Sequence, residues 1–301
     1  MSYKVLVVGN GGWGTALAIL LQKKGFDVTL SGHSSDYVEY LKEKRVNTKF
    51  LDGIKIPDGV KLTSDLSAAA EDIDIIVSAT PSLYLRDVTV KLKGYYVPGT
   101  KIVSVTKGIE QGSLMRASEI INDVLGSQPT VVLSGPSHAE EVARELPTTV
   151  VAASKNIELA KEVQNLFMTD RFRVYTNSDV IGVELGGAIK NVIAIAAGIC
   201  AGLKFGDNTK AALLTRGLAE TTRLGLAMGA NENTFQGLAG IGDLITTSIS
   251  PYGRNLRLGE QIGKGRKLTE ILQNMEQVAE GVITTKSVLA LFFPFFGFSF
   301  R

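Results

Sequence analysis

Lys190 and Asn191 stand side by side in GVELGGAIKNVIAIAAGICAGL, interrupting an otherwise apolar stretch. A buried lysine is costly unless it is paired or loses its proton. Burial and a nearby cation both lower a lysine pKa toward the range useful for proton transfer near neutrality. Lys190 is therefore a candidate general acid/base. Lys107 lies in SVTKGIE, just past a predicted strand, and in open α/β sheets ligands gather at the carboxyl ends of strands. SGPSHAEE also follows a predicted strand; its small residues permit close approach, and Ser137 can hydrogen-bond a cofactor or a substrate. A fourth segment, GIGDLITTSISPYGRNLRLGE, gathers Asp243, Arg254 and Asn255 among glycines, in an expected loop before a helix. Arginine suits bidentate phosphate contacts, and a helix start adds unpaired N–H groups. Taken singly, each segment has a plainer reading: a solvated loop lysine, an ordinary turn, a surface loop with a structural salt bridge. The run Lys264-Gly265-Arg266-Lys267 reads as a solvated turn.

Residues 4–14 read KVLVVGNGGWG, in which Gly9, Gly11 and Gly14 satisfy G-x-G-x-x-G. The match follows a predicted strand, opens the helix pattern TALAILLQKKG and is succeeded by a second strand pattern, DVTLSG. That context makes it a dinucleotide-binding signal. Gly9 permits the tight turn, Gly11 lets the backbone approach a pyrophosphate, and Gly14 lets helix and strand pack closely. An NAD site usually carries an acid at the end of the second strand to bond the ribose 2′-OH. Here the chain reads Leu30-Ser31-Gly32-His33, with no acid before Asp36. Ser31 and His33 are able to donate to a 2′-phosphate, although no arginine accompanies them. The reading favours NADP(H) over NAD(H), with His33 equally readable as an exposed loop residue.

These segments need elements to hold them. Short β-branched runs at Lys4–Val8, Val28–Leu30, Ile73–Ala79, Lys101–Val105, Thr130–Leu133, Thr148–Ala152 and Phe172–Tyr175 alternate with helix patterns such as Trp13–Lys24 and Leu114–Leu125. Continuous apolar runs indicate strands buried on both faces, as in a parallel sheet. The alternation predicts a doubly wound α/β domain over residues 1–180. After Asp179 the strand patterns stop. Helices are predicted at Val183–Leu203, Lys210–Met228, Asn255–Ile262, Leu268–Met275 and Thr284–Leu291, which makes residues 181–301 an all-α domain. The glycines 182, 186, 187, 198 and 202 read as sites of tight helix packing. With no linker between the domains, the default ligand site is the cleft between them.

Composition excludes other classes. The 301 residues carry 32 Lys+Arg against 30 Asp+Glu, a balance that does not mark a nucleic-acid or membrane-surface binder. One cysteine, Cys200, and two histidines, His33 and His138, leave no basis for a disulfide framework or a metal site. The N-terminal apolar run Val5–Val8 is too short for a signal peptide. The longest apolar stretch, Val192–Leu203, falls short of the ~20 residues of a spanning helix. A cytoplasmic protein is expected, as a homodimer, since two-fold symmetry is common.

GNGGWGTALA, SVTKGIE, SGPSHAEE, ELGGAIKNVIAIAAGI, LAGIGDLITT, GRNLRLGE and VAEGVITTK stand in the order and approximate spacing of bacterial-type NAD(P)-dependent glycerol-3-phosphate dehydrogenases. The chain resembles that family from residue 3 to about residue 288. The resemblance implies a Rossmann-type N-terminal domain, a helical C-terminal domain and interconversion of sn-glycerol 3-phosphate with dihydroxyacetone phosphate, supplying phospholipid synthesis. It implies that Lys190 is the catalytic acid/base and that Lys107 contacts substrate and cofactor. It further places Gly135, Ser137, Asp243 and Asn255 at the substrate, and Gly12, Trp13, His33, Ala139, Arg254, Val278 and Glu280 at the cofactor. Where the family commonly has a serine at the substrate phosphate, this chain has Gly253. Related β-hydroxyacid or 6-phosphogluconate-type dehydrogenases, and a non-catalytic nucleotide sensor on the same fold, are the competing readings.

The end of the chain departs from this pattern. From about Leu289 it reads LALFFPFFGFSFR, with six of the 12 phenylalanines in the last ten residues. Pro294 and Gly297 argue against one continuous helix there. The sequence reading is a truncated or frame-altered terminus in place of the family's last helices, either buried against the helical domain or free to promote association.

Overall fold

The computed structural model describes residues 3–275 and 279–296. It contains strands β1 (Lys4–Val8), β2 (Asp27–Ser31), β3 (Val46–Asn47), β4 (Leu51–Lys55), β5 (Lys61–Thr63), β6 (Ile75–Ser78), β7 (Lys101–Ser104), β8 (Thr130–Ser134), β9 (Thr148–Ala153) and β10 (Phe172–Asn177). Interleaved with them are helices α1 (Gly12–Lys23), α2 (Ser35–Lys44), α3 (Leu66–Ala69), α4 (Leu85–Lys93), α5 (Ala117–Leu125), α6 (Ala139–Ala143) and α7 (Ile157–Phe167). There follow α8 (Val180–Gly202), α9 (Gly206–Ala227), α10 (Glu232–Phe235), α11 (Asp243–Ile249), α12 (Arg254–Gly263), α13 (Leu268–Gln273) and α14 (Glu280–Phe296). The chain divides into two compact units.

The first unit comprises 1–106, 118–133 and 137–178. Its eight-stranded sheet has the order β10-β9-β8-β7-β6-β1-β2-β5. The β1–β2, β1–β6, β2–β5, β6–β7, β7–β8 and β9–β10 pairs are all parallel. Strands β1 and β6 are apolar on both faces because helices cover both, and β6 has no exposed residue. Val5, Val7, Leu17, Leu21, Leu30 and Phe167 are buried in one shared core. The α/β reading holds, with the strands within a few residues of expectation. The antiparallel pair β3–β4 and the edge strand β5 were not anticipated. They are two to five residues long and partly exposed, so they carry little hydrophobic pattern to read.

The second unit is helical and comprises 107–117, 134–136 and 179–301. Two short segments, following β7 and β8 in the chain, thus cluster with the helices. Asp179 starts α8: its side chain accepts from Gly182 N–H, and also from Asn231 N–H and the Thr234 hydroxyl of the α10 turn. The core around α8 includes Leu185, Ile189, Leu224, Phe235 and Val288. By length and hydropathy α8 is able to cross a bilayer, but 67% of that stretch is buried within the protein. Backbones meet directly along it. A Cβ at Gly198 would lie 2.1 Å from Leu256 O of α12, and one at Gly259 of α12 would lie 2.0 Å from Ile195 O. The stripe of small residues expected for tight packing has that function here.

Two expectations are corrected. Asp243 is not in a loop: a π-helical turn, Leu238–Gly242, runs directly into α11, and Asp243 is its first residue. The final helix continues through Pro294 to Phe296 rather than ending before it. Proline removes one backbone donor, so the last turn of α14 lacks one intrahelical bond. Leu291 is buried and Phe292 packs against the core. Gly297, Phe298 and Phe300 lie outside the described residues.

Candidate active site

In the first unit, the strand–turn–helix passage from β1 to α1 is built by glycines. Gly9 has φ +114°, and a Cβ there would lie 2.7 Å from Ala79 O. A Cβ at Gly14 would stand 1.9 Å from Gly9 O, and one at Gly12 would stand 2.5 Å from Phe50 O. Gly11 differs, because a Cβ there would meet nothing within 4 Å. The space over Gly11 is open, while the other three positions are closed by the protein itself.

The turn fits a dinucleotide. No side chain caps the start of α1, and its first turn contains no acid. Its amides therefore point their positive end at whatever lies in front, an anion-binding arrangement. Asn10 Nδ2 and Trp13 Nε1 are buried donors without a partner among the described residues. Beneath the turn, fully buried Asn47 donates to Asn10 O (2.9 Å) and Thr15 Oγ1 (2.7 Å), and accepts from the Tyr37 hydroxyl at 2.7 Å. Sequence reasoning missed Asn47, since an asparagine in a two-residue strand carries no pattern. Ala139, the first residue of α6, is buried beside the turn, its methyl 3.6 Å from where a Gly12 Cβ would be. Ser137 is half-buried, and His33, two residues past β2, is exposed.

In the second unit, three charged groups meet. Lys190 Nζ donates to Asp243 Oδ1 at 2.5 Å and to Thr247 Oγ1 at 2.8 Å. Lys107 Nζ donates to the other carboxylate oxygen, Oδ2, at 2.7 Å and to Gly135 O at 3.0 Å. Asp243 is 1% exposed and Lys190 8%. Burial lowers the Lys190 pKa to about 7, aided by the Lys107 charge, against the opposing pull of Asp243. Gly135 has φ +138°, which turns the chain where its carbonyl meets Lys107. Thr247 was also missed. It lies four residues after Asp243, on the same face of α11, and that spacing was the available signal.

The Lys-Asn pair is tied to two further helices. Asn255 Nδ2 of α12 donates to Asn191 Oδ1 at 3.0 Å, and Gly281 N–H of α14 donates to Asn255 Oδ1 at 3.1 Å. Asn255 thus has both ends of its amide engaged by protein. Arg254 is exposed at the start of α12, which has neither a side-chain cap nor an acid in its first turn. Gly253 before it is buried, and a Cβ there would lie 2.8 Å from Thr247 O. Glu280, half-buried, opens α14, while Val278 lies outside the described residues.

Comparison with known proteins shows the family. Residues 4–160 match the family model of the NAD-dependent glycerol-3-phosphate dehydrogenase N-terminus, and residues 179–293 that of its C-terminus. The chain is 52% identical over 290 residues to an NAD(P)+ glycerol-3-phosphate dehydrogenase of Prosthecochloris aestuarii, covering 95% of this chain and 87% of that one. It is 49% identical to one of Geobacillus kaustophilus over 95% and 84% of the two chains. Among solved structures, glycerol-3-phosphate dehydrogenase from Coxiella burnetii superposes with a TM-score of 0.93 at 40% identity, over 97% of this chain and 89% of that one. The chain belongs to the NAD-dependent glycerol-3-phosphate dehydrogenase family.

Proposed function

We propose that the protein interconverts sn-glycerol 3-phosphate and dihydroxyacetone phosphate, with Lys190 as general acid/base. The observation that carries this reading is one buried carboxylate, Asp243, shared by Lys190 and Lys107. A nicotinamide dinucleotide, when bound, would supply or accept the hydride at substrate C2. Gly11 and the first turn of α1 would hold its pyrophosphate, with Gly9, Gly12, Trp13, Gly14 and Ala139 shaping the seat. Val278 and Glu280 belong to the same expected contact set.

Lys190 moves the proton. Its pKa of about 7 lets the ammonium give a proton to the C2 oxygen during reduction, and the amine take one during oxidation. With Lys190 protonated, two ammoniums face one carboxylate, so the cluster carries one net positive charge. That charge stabilises the oxygen as it becomes an alkoxide. When Lys190 has given its proton, Lys107 and Asp243 balance. Arg254 and the start of α12 hold the substrate phosphate, so that remote binding energy positions the carbonyl. Gly135 and Ser137 line the substrate, Asn255 fixes Asn191 beside Lys190, and Gly253 leaves one hydroxyl contact to the phosphate unmade.

The cofactor preference is NADP(H) over NAD(H). Ser31 and exposed His33 follow β2 with no acid before Asp36, so nothing there repels a 2′-phosphate. The enzyme acts in the cytoplasm as a homodimer and supplies glycerol 3-phosphate to phospholipid synthesis. A test is NADPH or NADH oxidation, followed by absorbance, on adding dihydroxyacetone phosphate beside a panel of β-hydroxyacids and 6-phosphogluconate with the oxidised cofactors. Turnover confined to the three-carbon phosphate is expected. A preference for a hydroxyacid would overturn the assignment, and a higher kcat/KM with NADH would overturn the cofactor preference.

A further inference from the structure

Residues 107–117 of the helical unit form a strap held along its length. At its start Lys107 is bonded to Asp243 and Gly135. Ile109, 1% exposed, is anchored in the apolar core, and its carbonyl accepts from the Ser287 hydroxyl of α14 at 3.0 Å. Ile109 pairs with Arg116 in an antiparallel bridge, and Glu110 N–H donates to Met115 O at 2.9 Å, which closes a compact loop. At the far end Arg116 Nη1 donates to Glu184 Oε2 of α8. Both partners are buried, Arg116 at 8% and Glu184 at 5% exposure. Glu184 precedes Lys190 by six residues on the same helix, roughly 9 Å along its axis. At Gly187 the strap comes close to α8: a Cβ there would be 3.5 Å from Lys107 Cγ.

A buried ion pair is a poor source of net stability, because desolvation of both charges offsets most of their attraction; its best-attested use is to fix register. Resting on the acid/base reading of Lys190, we propose that Arg116 is a positioning residue. With Glu184, and backed by Ser287, it clamps the strap to α8 so that Lys107 is held beside the carboxylate shared with Lys190.

The clamp acts on chemistry through charge. The charged groups that act most strongly on Lys190 are Asp243 from α11, which raises its pKa, and Lys107 from the strap, which lowers it. α12 meets α8 near the site with neutral Asn255, and Glu184 on the helix itself is balanced by Arg116. A strap that drifts takes the Lys107 charge away, admits water and leaves Asp243 to Lys190 alone. All three changes move the Lys190 pKa in one direction, upward.

The test uses the full chain labelled with ¹³C-lysine, with the Lys190 resonance assigned by its loss in Lys190→Met. Two variants release the clamp without orphaning a buried charge: Ser287→Ala, and the double replacement Arg116→Met with Glu184→Met. In both, the Lys190 midpoint is expected to rise by about half a unit or more, a roughly threefold change in proton affinity. The pH limb of kcat moves with it, while KM for dihydroxyacetone phosphate stays within about threefold. Arg116→Lys, which keeps the charge, restores most of the wild-type midpoint. Should the double variant fail to fold, Ser287→Ala decides. Variants that melt like the wild type and titrate at its midpoint would overturn the clamp. A Lys190 that titrates near 7 in a wild-type chain unable to turn over dihydroxyacetone phosphate would sink the acid/base reading instead, leaving the clamp to be judged on the shift.

Discussion

The glycine turn of the first unit is shaped by side chains that are missing. The Asp243 cluster of the second unit is made of side chains that are present, charged and buried. The turn works through backbone amides and the open space over Gly11; the cluster works through a carboxylate holding two ammoniums. The first needs close approach and little else, so it is written in one contiguous run of eleven residues, KVLVVGNGGWG. The second needs residues from three separated stretches, at positions 107, 190 and 243. A cofactor seat of this kind is a local property of the chain, whereas a proton-transfer centre is a property of the fold.

The largest expected effect breaks one side of this comparison and spares the other. Lys190→Ala removes the proposed proton carrier and is expected to lower turnover by roughly 10²–10⁴-fold, while dinucleotide affinity measured by fluorescence titration stays near wild type. Near-normal turnover would remove Lys190 from its role. The next acts through packing. Gly14→Ala forces a methyl to within 1.9 Å of Gly9 O, and overpacking of this kind costs about 1–3 kcal/mol. A Tm several degrees lower is expected, with dinucleotide affinity falling alongside.

What was legible beforehand follows the same division. The seven main strands were readable as continuous apolar runs, and helices α1, α5, α8, α9, α12, α13 and α14 as helix patterns. Strands β3–β5 and the remaining helices were not picked out, most of them being short or exposed. Lys190 was visible as a lysine out of place in an apolar helix. Its partner was harder: Asp243 read as a loop residue among glycines, because the π-helical turn that leads into α11 has no sequence period of its own. Asn47 was invisible because hydrogen-bonded polar residues of the interior look like surface residues until the fold closes over them, and Thr247 had only its four-residue spacing from Asp243 to mark it.

Arg254 divides binding from chemistry within the helical unit. Arg254→Ala is expected to raise KM for dihydroxyacetone phosphate by about tenfold or more, the scale of a charged hydrogen bond, and to leave the weak turnover of unphosphorylated dihydroxyacetone unchanged. Equal losses on both substrates would move Arg254 away from the phosphate.

Asp243 sharpens the charge argument. If Lys190 is the proton donor proposed above, dihydroxyacetone phosphate reduction needs its ammonium, so the rate should fall as pH rises through about 7. Oxidation of glycerol 3-phosphate needs the amine and should rise through the same midpoint. Asp243 holds the Lys190 pKa up, so Asp243→Asn should carry both limbs to lower pH. Release of the strap should carry them to higher pH. Opposite displacements from two changes around one lysine cannot come from general loosening, which would move both the same way. A pH–rate profile of each variant, in both reaction directions, reads this out.

The smallest structural effect tests the seat alone. A methyl at Gly11 meets no protein atom within 4 Å, so Gly11→Ala should leave Tm within about a degree of wild type, as expected for a substitution that touches nothing. If the open space over Gly11 is where the pyrophosphate comes down on the backbone, the same methyl meets the ligand, and dinucleotide affinity should fall by an order of magnitude or more. Gly14→Ala and Gly11→Ala, three residues apart in one motif, then fail for opposite reasons: one because the protein already fills the space, the other because it leaves the space to something else. A Gly11→Ala chain that binds the dinucleotide normally would show that the opening at Gly11 is not the seat.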